Sequence, residues 1–394
     1  MNEPVLDGPP PLGVYVHWPY CARICPYCDF NVVRDRGRRG EQAGLTQAIL
    51  QDLGAQRALT GPRRLASIFF GGGTPSLMSP DWTGEIIAAA KGMWTPDGDV
   101  EITLEANPTD VEAGRFKAFA EAGVNRLSLG VQSLDDQGLR FLGRNHDAAG
   151  AVRAAEVARE VFARLSLDLI YARPGQSVAA WRSELRDAVA LGAGHLSPYQ
   201  LTIEAGTPFD RAVRRGAWRP TGDEIGAALY QITQETLTDA GFEAYEVSNH
   251  ARGPEARSRH NLIYWRGWDY VGVGPGAHGR LTLGDGRIAT QAAAGVADYV
   301  RSVADKGVGW ETRETLSPLQ IAEERLLTGL RTVEGVDLVD LGPLQLDATS
   351  PIVGDLAGAG LVSIAGGRLT ATSAGRLVLD RITTELATFV QTVT

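Results

Sequence analysis

The sequence predicts an α/β fold: a partial (β/α)6-type barrel with a small C-terminal helical or winged-helix-like domain. Three observations carry this. Short apolar, β-rich runs alternate with longer amphipathic segments from Val14 to Ile203. The chemically unusual residues follow or end those runs. Beyond about residue 312 the pattern changes to helix, short strand pair and helix. Repeated strand-then-helix order implies a parallel sheet, and right-handed crossovers curl it into a full or partial barrel. In chain order the strands are expected at Val14–His17, Ser67–Phe70, Val100–Glu105, Arg126–Val131, Ser166–Tyr171 and His195–Ile203. Apolar residues at helical spacing predict helices near 41–59, 80–93, 110–122, 147–161 and 178–192 between them. From about 205 the pattern loosens into a helix near 222–240, Phe242–Ser248, His260–Trp265 and the glycine-rich run Gly272–Gly279. The last region holds an amphipathic helix around Pro318–Leu330, the segment Gly335-Val-Asp-Leu, a strand pair around Gly360–Thr370 and a helix over 373–390. The expected division is 1–215 for the barrel, 216–311 for its extension and 312–394 for the C-terminal domain.

At 394 residues the chain has room for a barrel and an appendage. Its 38 Lys and Arg against 47 Asp and Glu leave a net charge of −9, which argues against general nucleic-acid binding. A winged helix would raise DNA binding, but Asp337, Asp340, Asp347 and Asp355 make that region acidic. No apolar run of 18 residues predicts a spanning helix. Met1–Pro11 is polar and proline-rich, without the order of a signal peptide. A reduced, cytoplasmic setting is expected, with transient membrane contact left open. Arg34, Arg36, Arg38 and Arg39 form one basic run; a solvated loop is the reading preferred, and a patch for propionates or phosphates is the sharper one.

The only three cysteines, Cys21, Cys25 and Cys28, follow the first strand as C-x3-C-x2-C. Three thiolates so close can grip three irons of a cubane and leave the fourth open, whereas an electron-transfer [4Fe–4S] cluster takes four cysteines. A structural zinc site wants four protein ligands, and His17 is the only imidazole nearby. A disulfide framework would leave a thiol over.

Other polar motifs follow successive strands. Gly71-Gly72-Gly73-Thr74-Pro75 lets backbone approach a ligand, or is simply a tight turn. Pro75 and the lack of a following Gly-Lys exclude a phosphate loop. Glu105, in Glu-Ala-Asn-Pro, Gln132, in Gly-Val-Gln-Ser, Arg144 and Asp168 recur at or near strand ends, where parallel barrels place their sites. Carboxylates there can hold an ammonium or ribose hydroxyls, and an arginine can hold a carboxylate. Gly272–Gly279 contains Pro275 and reads as structural. His260-Asn261-Leu-Ile-Tyr264-Trp265 offers a possible haem-iron ligand beside aromatics; from the residues alone, a loop histidine next to a buried aromatic pair is preferred.

Taken together, C-x3-C-x2-C, G-G-G-T-P, E-A-N-P, G-V-Q-S and G-R-N-H resemble the radical S-adenosylmethionine (radical SAM) superfamily, and more closely its oxygen-independent coproporphyrinogen III oxidase-like family, over residues 12–390. The resemblance implies that Cys21, Cys25 and Cys28 hold a [4Fe–4S] cluster whose open iron binds the methionine end of SAM. It places Tyr15, Tyr27, Gly72, Gly73, Thr74, Glu105, Gln132, Arg144 and Asp168 at the SAM site, with Gln200 a weaker match. Cluster reduction would cleave SAM to a 5′-deoxyadenosyl radical.

Within that family, the oxidase has a fourth cysteine where this chain has Phe30, and a longer segment ahead of the cluster motif. Cys28-Asp-Phe-Asn and His260-Asn-x-x-Tyr264-Trp265 are instead similar to the haem chaperone (HemW) branch. That likeness makes His260, Asn261, Tyr264 and Trp265 the haem-site candidates. Tyr171-Ala-Arg173-Pro-Gly replaces the family's Tyr-Gly-Leu-Pro-Gly and is expected to add charge near the cofactor end of the barrel. The leading expectation is a chaperone that captures haem and passes it to acceptor apo-haem proteins, with a reductant for the cluster. The alternatives are oxidative decarboxylation of coproporphyrinogen III to protoporphyrinogen IX, or radical chemistry on an unrelated substrate.

Overall fold

The computed structural model describes residues 9–393, so the first eight residues of the proline-rich N-terminal stretch lie outside it. Six parallel strands follow one another in space as in sequence: β1 Leu12–Trp18, β2 Arg64–Gly72, β3 Thr95–Ala106, β4 Arg126–Gln132, β5 Arg164–Tyr171 and β6 His195–Gln200. Each is linked to the next through helix, principally Arg39–Thr60, Pro80–Met93, Ala148–Val161 and Val178–Ala190. The strands alternate: one face is apolar and covered by the helices, and the other turns polar residues such as Ser67, Arg126, Ser128, Asp168 and His195 into the barrel interior. Val14, Val16, Ile68, Phe70, Leu104 and Leu167 are fully buried.

The sheet continues past both ends of this series. On one side β7 Glu243–Glu246 and β8 Asn249–Ala251 add antiparallel to β6. On the other, β9 Tyr270–Val273 pairs parallel with β1. Beyond it lie β10 His278–Leu283, β11 Gly286–Ala292 and β12 Trp310–Thr315, all antiparallel. The spatial order β12-β11-β10-β9-β1-β2-β3-β4-β5-β6-β8-β7 leaves β12 and β7 as edges, so the barrel is open.

Several boundaries differ from the sequence reading. The sixth strand stops at Gln200, and Leu201, Thr202 and Glu204 leave the sheet to line the barrel mouth. The helix expected over 110–122 is broken into Asp110–Ala113 and Phe116–Glu121, and the last helix is interrupted between Arg376 and Leu379. The glycine-rich run begins inside β9, a seventh parallel strand, and glycine is needed there for close backbone approach. A Cβ on Gly272 would lie 1.9 Å from the His278 carbonyl oxygen, and one on Gly274 2.3 Å from that of His17.

Behind the barrel, Ser258 caps the short helix Arg259–Trp265, its hydroxyl accepting from the Asn261 amide. This helix packs against β1 at Gly13, where a Cβ would come within 2.9 Å of Ile263. Residues 316–393 fold over a core of their own, including Leu326, Leu330, Leu341, Leu344, Val353, Leu369 and Leu386. A three-stranded sheet of Val336–Asp337, Arg368–Ala371 and Val362–Ala365 supports it, and a Ser317–Gln320 capping box opens its first helix. Ion pairs tie this part to the rest: Arg331 to buried Glu246 at 2.6 Å, Arg266 to Glu334 at 2.7 Å and Arg280 to Glu324 at 2.7 Å. Among the described residues no helix is long and apolar enough to cross a membrane.

Candidate functional site

A cavity of about 460 Å3 opens at the C-terminal end of the parallel strands and runs down into the barrel. The loop after β1 forms one wall with Cys21, Cys25 and Cys28, all free thiols. Two neighbouring side chains donate to them: Arg144 Nη1 to Cys25 Sγ at 3.3 Å, and Thr74 Oγ1 to Cys21 Sγ at 3.6 Å. Burial pushes the Cys21 thiol up to about 11 and also raises Cys28, so in the cluster-free fold these two are protonated near neutrality. Metal capture there releases protons. Among the described residues no three His, Cys, Asp or Glu side chains converge on a single ion. His17 is also committed, its Nδ1 to the Tyr15 hydroxyl at 3.0 Å and its Nε2 to the Asn31 carbonyl at 2.8 Å. Three soft thiolates with polar donors at their sulfurs, and no histidine beside them, fit an iron–sulfur cluster better than zinc.

The glycines after β2 hold this loop in place. The Gly73 amide donates to the Trp18 carbonyl and the Thr74 amide to that of Tyr20, both at 2.8 Å. Gly72 has φ +107°, and a Cβ there would lie 2.5 Å from the His17 ring. A Cβ on Gly73 would lie 2.7 Å from the backbone of Pro19 and Tyr20. The close approach anticipated from the triple glycine is therefore first of all an approach to the cysteine loop itself.

Opposite the cysteines the cavity carries acids and arginines. Glu105 Oε2 accepts from the Gly72 amide at 3.2 Å, and burial, with Asp168 nearby, pushes its carboxyl up to about 8. Asp168 is also raised by burial, although the Ser128 hydroxyl donates to it at 2.9 Å. Two carboxyls held toward their neutral forms in one cavity are groups that a cationic ligand placed beside them would ionise. Arg144 braces the site: Nη2 donates to the Gly130 carbonyl at 3.0 Å and to the Asn107 side chain, and Nη1 reaches the Tyr27 hydroxyl at 3.4 Å. Gln132 lines the cavity from a left-handed backbone, φ +64°, at an irregularity in the β4–β5 register.

Cys21, Cys25, Cys28, Tyr27, Gly72, Gly73, Thr74, Glu105, Gln132, Arg144, Asp168 and Gln200 thus share one cavity. Tyr15 stands behind it, bonded to His17 and packed 6.3 Å from the Phe69 ring. The haem candidates separate. Asn261 reaches the cavity floor. His260 is 1% exposed, its Nδ1 with the Ser67 hydroxyl at 2.8 Å and its Nε2 with that of Tyr264 at 2.7 Å. Burial holds its pKa down to about 3, and both ring nitrogens are engaged. Trp265 faces the other way, 5.0 Å under the Arg331 guanidinium.

Arg173 does not add charge to the cofactor end. It is buried and paired with Glu184 at 2.6 Å, while its Nη1 donates to the Ile170 carbonyl. Asn107 was quoted in its motif without a role; it bridges Arg144 and Thr74, donating to Thr74 Oγ1 at 3.1 Å. Arg126 and His195 line the lower cavity from the first residues of apolar strands, and neighbouring sequence gave no sign of them.

The Radical SAM superfamily model matches residues 15–188, and the HemN C-terminal domain model matches residues 316–378. Heme chaperone HemW of Bacillus subtilis (strain 168) is 34% identical over 377 residues, covering 94% of this chain and 97% of that protein. HemW of Escherichia coli (strain K12) is 42% identical over 282 residues, covering 71% and 73%. The mitochondrial radical S-adenosyl methionine domain-containing protein 1 of Danio rerio is 40% identical over 329 residues, covering 82% and 73%. Among solved structures, the coproporphyrinogen III oxidase HemN of Escherichia coli superposes with a TM-score of 0.80 over 97% of this chain and 91% of that one, at 21% identity, a likeness of fold. With its three-cysteine wall, its open barrel and relatives at this identity along almost its whole length, this chain belongs to the radical SAM superfamily and, within it, to the coproporphyrinogen III oxidase-like family, in the branch of its HemW relatives.

Proposed function

We propose that this protein is a haem chaperone that binds haem and transfers it to acceptor haem proteins, and that it carries a SAM-coordinated [4Fe–4S] cluster. One observation carries the reading: the match to a named haem chaperone runs through both the barrel and the C-terminal region, 94% of the chain. In this proposal Cys21, Cys25 and Cys28 hold the cluster, with Arg144 and Thr74 donating to its cysteine sulfurs. Glu105 and Asp168 receive the positive charge of SAM; Tyr27, Gly72, Gly73, Gln132 and Gln200 shape the remaining wall. Bound there, cluster and SAM supply the redox chemistry, and the protein orients them and limits water. A reductant, apo-haem acceptors and a reduced, cytoplasmic setting belong to the same proposal, as does the division near residues 215 and 311.

The test is an anaerobic haem titration of cluster-loaded protein, followed by mixing with an apo-haem protein. Saturable uptake near one haem per chain and its appearance in the acceptor are expected. Formation of protoporphyrinogen from coproporphyrinogen III, with SAM and a reductant, in protein that takes up no haem would replace the chaperone by the oxidase.

A further inference from the structure

The basic run after the cysteines lines a second opening, a groove of about 680 Å3 on the outside of the cluster loop. One wall is the helix Val296–Lys306, which presents Val296, Ala297, Val300 and Ala304 to it. The other is the strand Val33–Arg34, which pairs Tyr20 with Val33 and Cys21 with Arg34. Arg34, Arg36, Arg38 and Arg301 ring the apolar interior. Arg38 faces Glu41 at 3.5 Å and Arg301 is paired with Asp298 at 2.7 Å. Arg34 and Arg36 make no ion pair among the described residues. Asp35, the acid between them, is held by the Gly37 amide at 2.8 Å and the Gln42 amide group at 3.0 Å.

We infer that this groove is the haem-carrying site. The inference rests on the haem-chaperone reading and locates its cargo. Valine and alanine side chains offer contact to a flat macrocycle, and Arg34 and Arg36 stand ready for two propionates, which arginine forks bind as charge-assisted pairs. On a chain of net charge −9, two arginines without carboxylate partners beside an apolar groove select an amphipathic dianion. No histidine, cysteine or methionine lines it, and the Tyr20 hydroxyl is given to Glu41 at 2.8 Å. Haem would be gripped by its faces and carboxylates with no bond from the protein to iron, which suits a cargo to be handed on. The six histidines lie elsewhere, and His260 is sealed by two hydrogen bonds.

The test uses the full chain with its cluster loaded, titrated anaerobically with haem and with haem dimethyl ester. Wild type is compared with Arg34→Glu/Arg36→Glu and with His260→Ala; iron content and circular dichroism report cluster and fold. The groove predicts that the double arginine variant weakens haem binding by about tenfold or more. It also predicts that the dimethyl ester binds weakly and alike to wild type and this variant, and that His260→Ala leaves the Soret position unchanged. Haem binding that survives the arginine changes, or that is lost with His260→Ala in a folded variant, overturns the groove while keeping the chaperone. Wild type that takes up no haem removes the chaperone reading and the groove with it.

Discussion

At the scale of single residues, two positions show how the region of the site depends on close backbone packing and on a buried charge pair. Gly73 presses on the backbone of Pro19 and Tyr20, so the methyl of Gly73→Ala cannot be relieved by rotating a side chain. The cysteine loop must move instead. Gly73→Ala is expected to fold yet hold less than half the wild-type iron after reconstitution, read as iron per chain; a full complement would separate this turn from the cluster. The second position is Arg173. Its pairing with Glu184 buries both charges, and Glu184 also accepts from the Ser133 hydroxyl at 2.5 Å and the Leu134 amide at 2.8 Å. Removing one member of such a pair costs about 3–5 kcal/mol. Arg173→Leu is expected near the lower end because those donors remain, and Arg173→Leu/Glu184→Gln to recover most of the loss. Urea unfolding of the two variants checks this, and equal losses would show the charges to be uncoupled.

At the scale of elements, what was legible followed periodicity and what was not followed packing. The six barrel strands each carry apolar residues at alternate positions with helices between them, so their order and the end that carries the polar motifs could be read directly. β9 could not: it is four residues long and includes Gly272, whose glycine answers to the His278 carbonyl rather than to a turn. The cysteine triplet and the polar residues at strand ends were visible as motifs, but Arg126 and His195 became part of the cavity only when parallel strands set their first residues around one interior. The groove was equally hidden, because its walls come from Val33–Arg38 and Val296–Ala304. The helix Arg259–Trp265 shows the same limit. Its motif was plain, yet only the fold shows His260 facing the barrel and Trp265 facing Arg331. The Arg331–Glu246 pair beside it should hold the C-terminal part in place, since Glu246 is fully buried. Arg331→Met is expected to cost about 2–3 kcal/mol, less than a full orphaned charge because the Ser248 amide and Asn249 still donate to Glu246. Hydrogen exchange should quicken in residues 259–266 and 318–334; unchanged exchange there would remove the coupling.

For the whole molecule, proton linkage sets an unusual optimum for the cluster-free protein. All six histidines are held below the usual imidazole range, chiefly by burial, with His146 near 4 and His250 and His260 near 3. Below about 6.5 the unfolded chain takes up these protons more readily than the fold, so each removes stability as pH falls, by up to about 1.4 kcal/mol per pH unit for sealed His195, His250 and His260 and by less for exposed His278. Buried acids act in the opposite sense. Glu105 near 8, Asp52 near 6, and raised Glu112 and Asp168 remain protonated in the fold where the unfolded chain has ionised. They add stability as pH falls toward the ordinary carboxylate range. Between about 4.5 and 6.5 six histidines outweigh four acids, so stability falls as pH falls through this window. Below that window the acids give no further help, and Glu101, held low by Arg126 and Arg164 against the cost of its burial, begins to lose its partners. Above it the histidines are silent and Glu105 must ionise within a cavity that does not yet hold a cation. Stability should therefore peak near pH 6.5 and decline toward 8, where a protein governed by surface carboxylates would show no decline. Because Glu105 opens partly onto the cavity, its share is smaller than that of a sealed acid. Glu105→Gln should flatten the decline from 6.5 to 8. Urea midpoints measured every half pH unit decide the matter: stability rising steadily from pH 5 to 8 in cluster-free wild type would show that Glu105 is already ionised, and the cavity already prepared, without its cation.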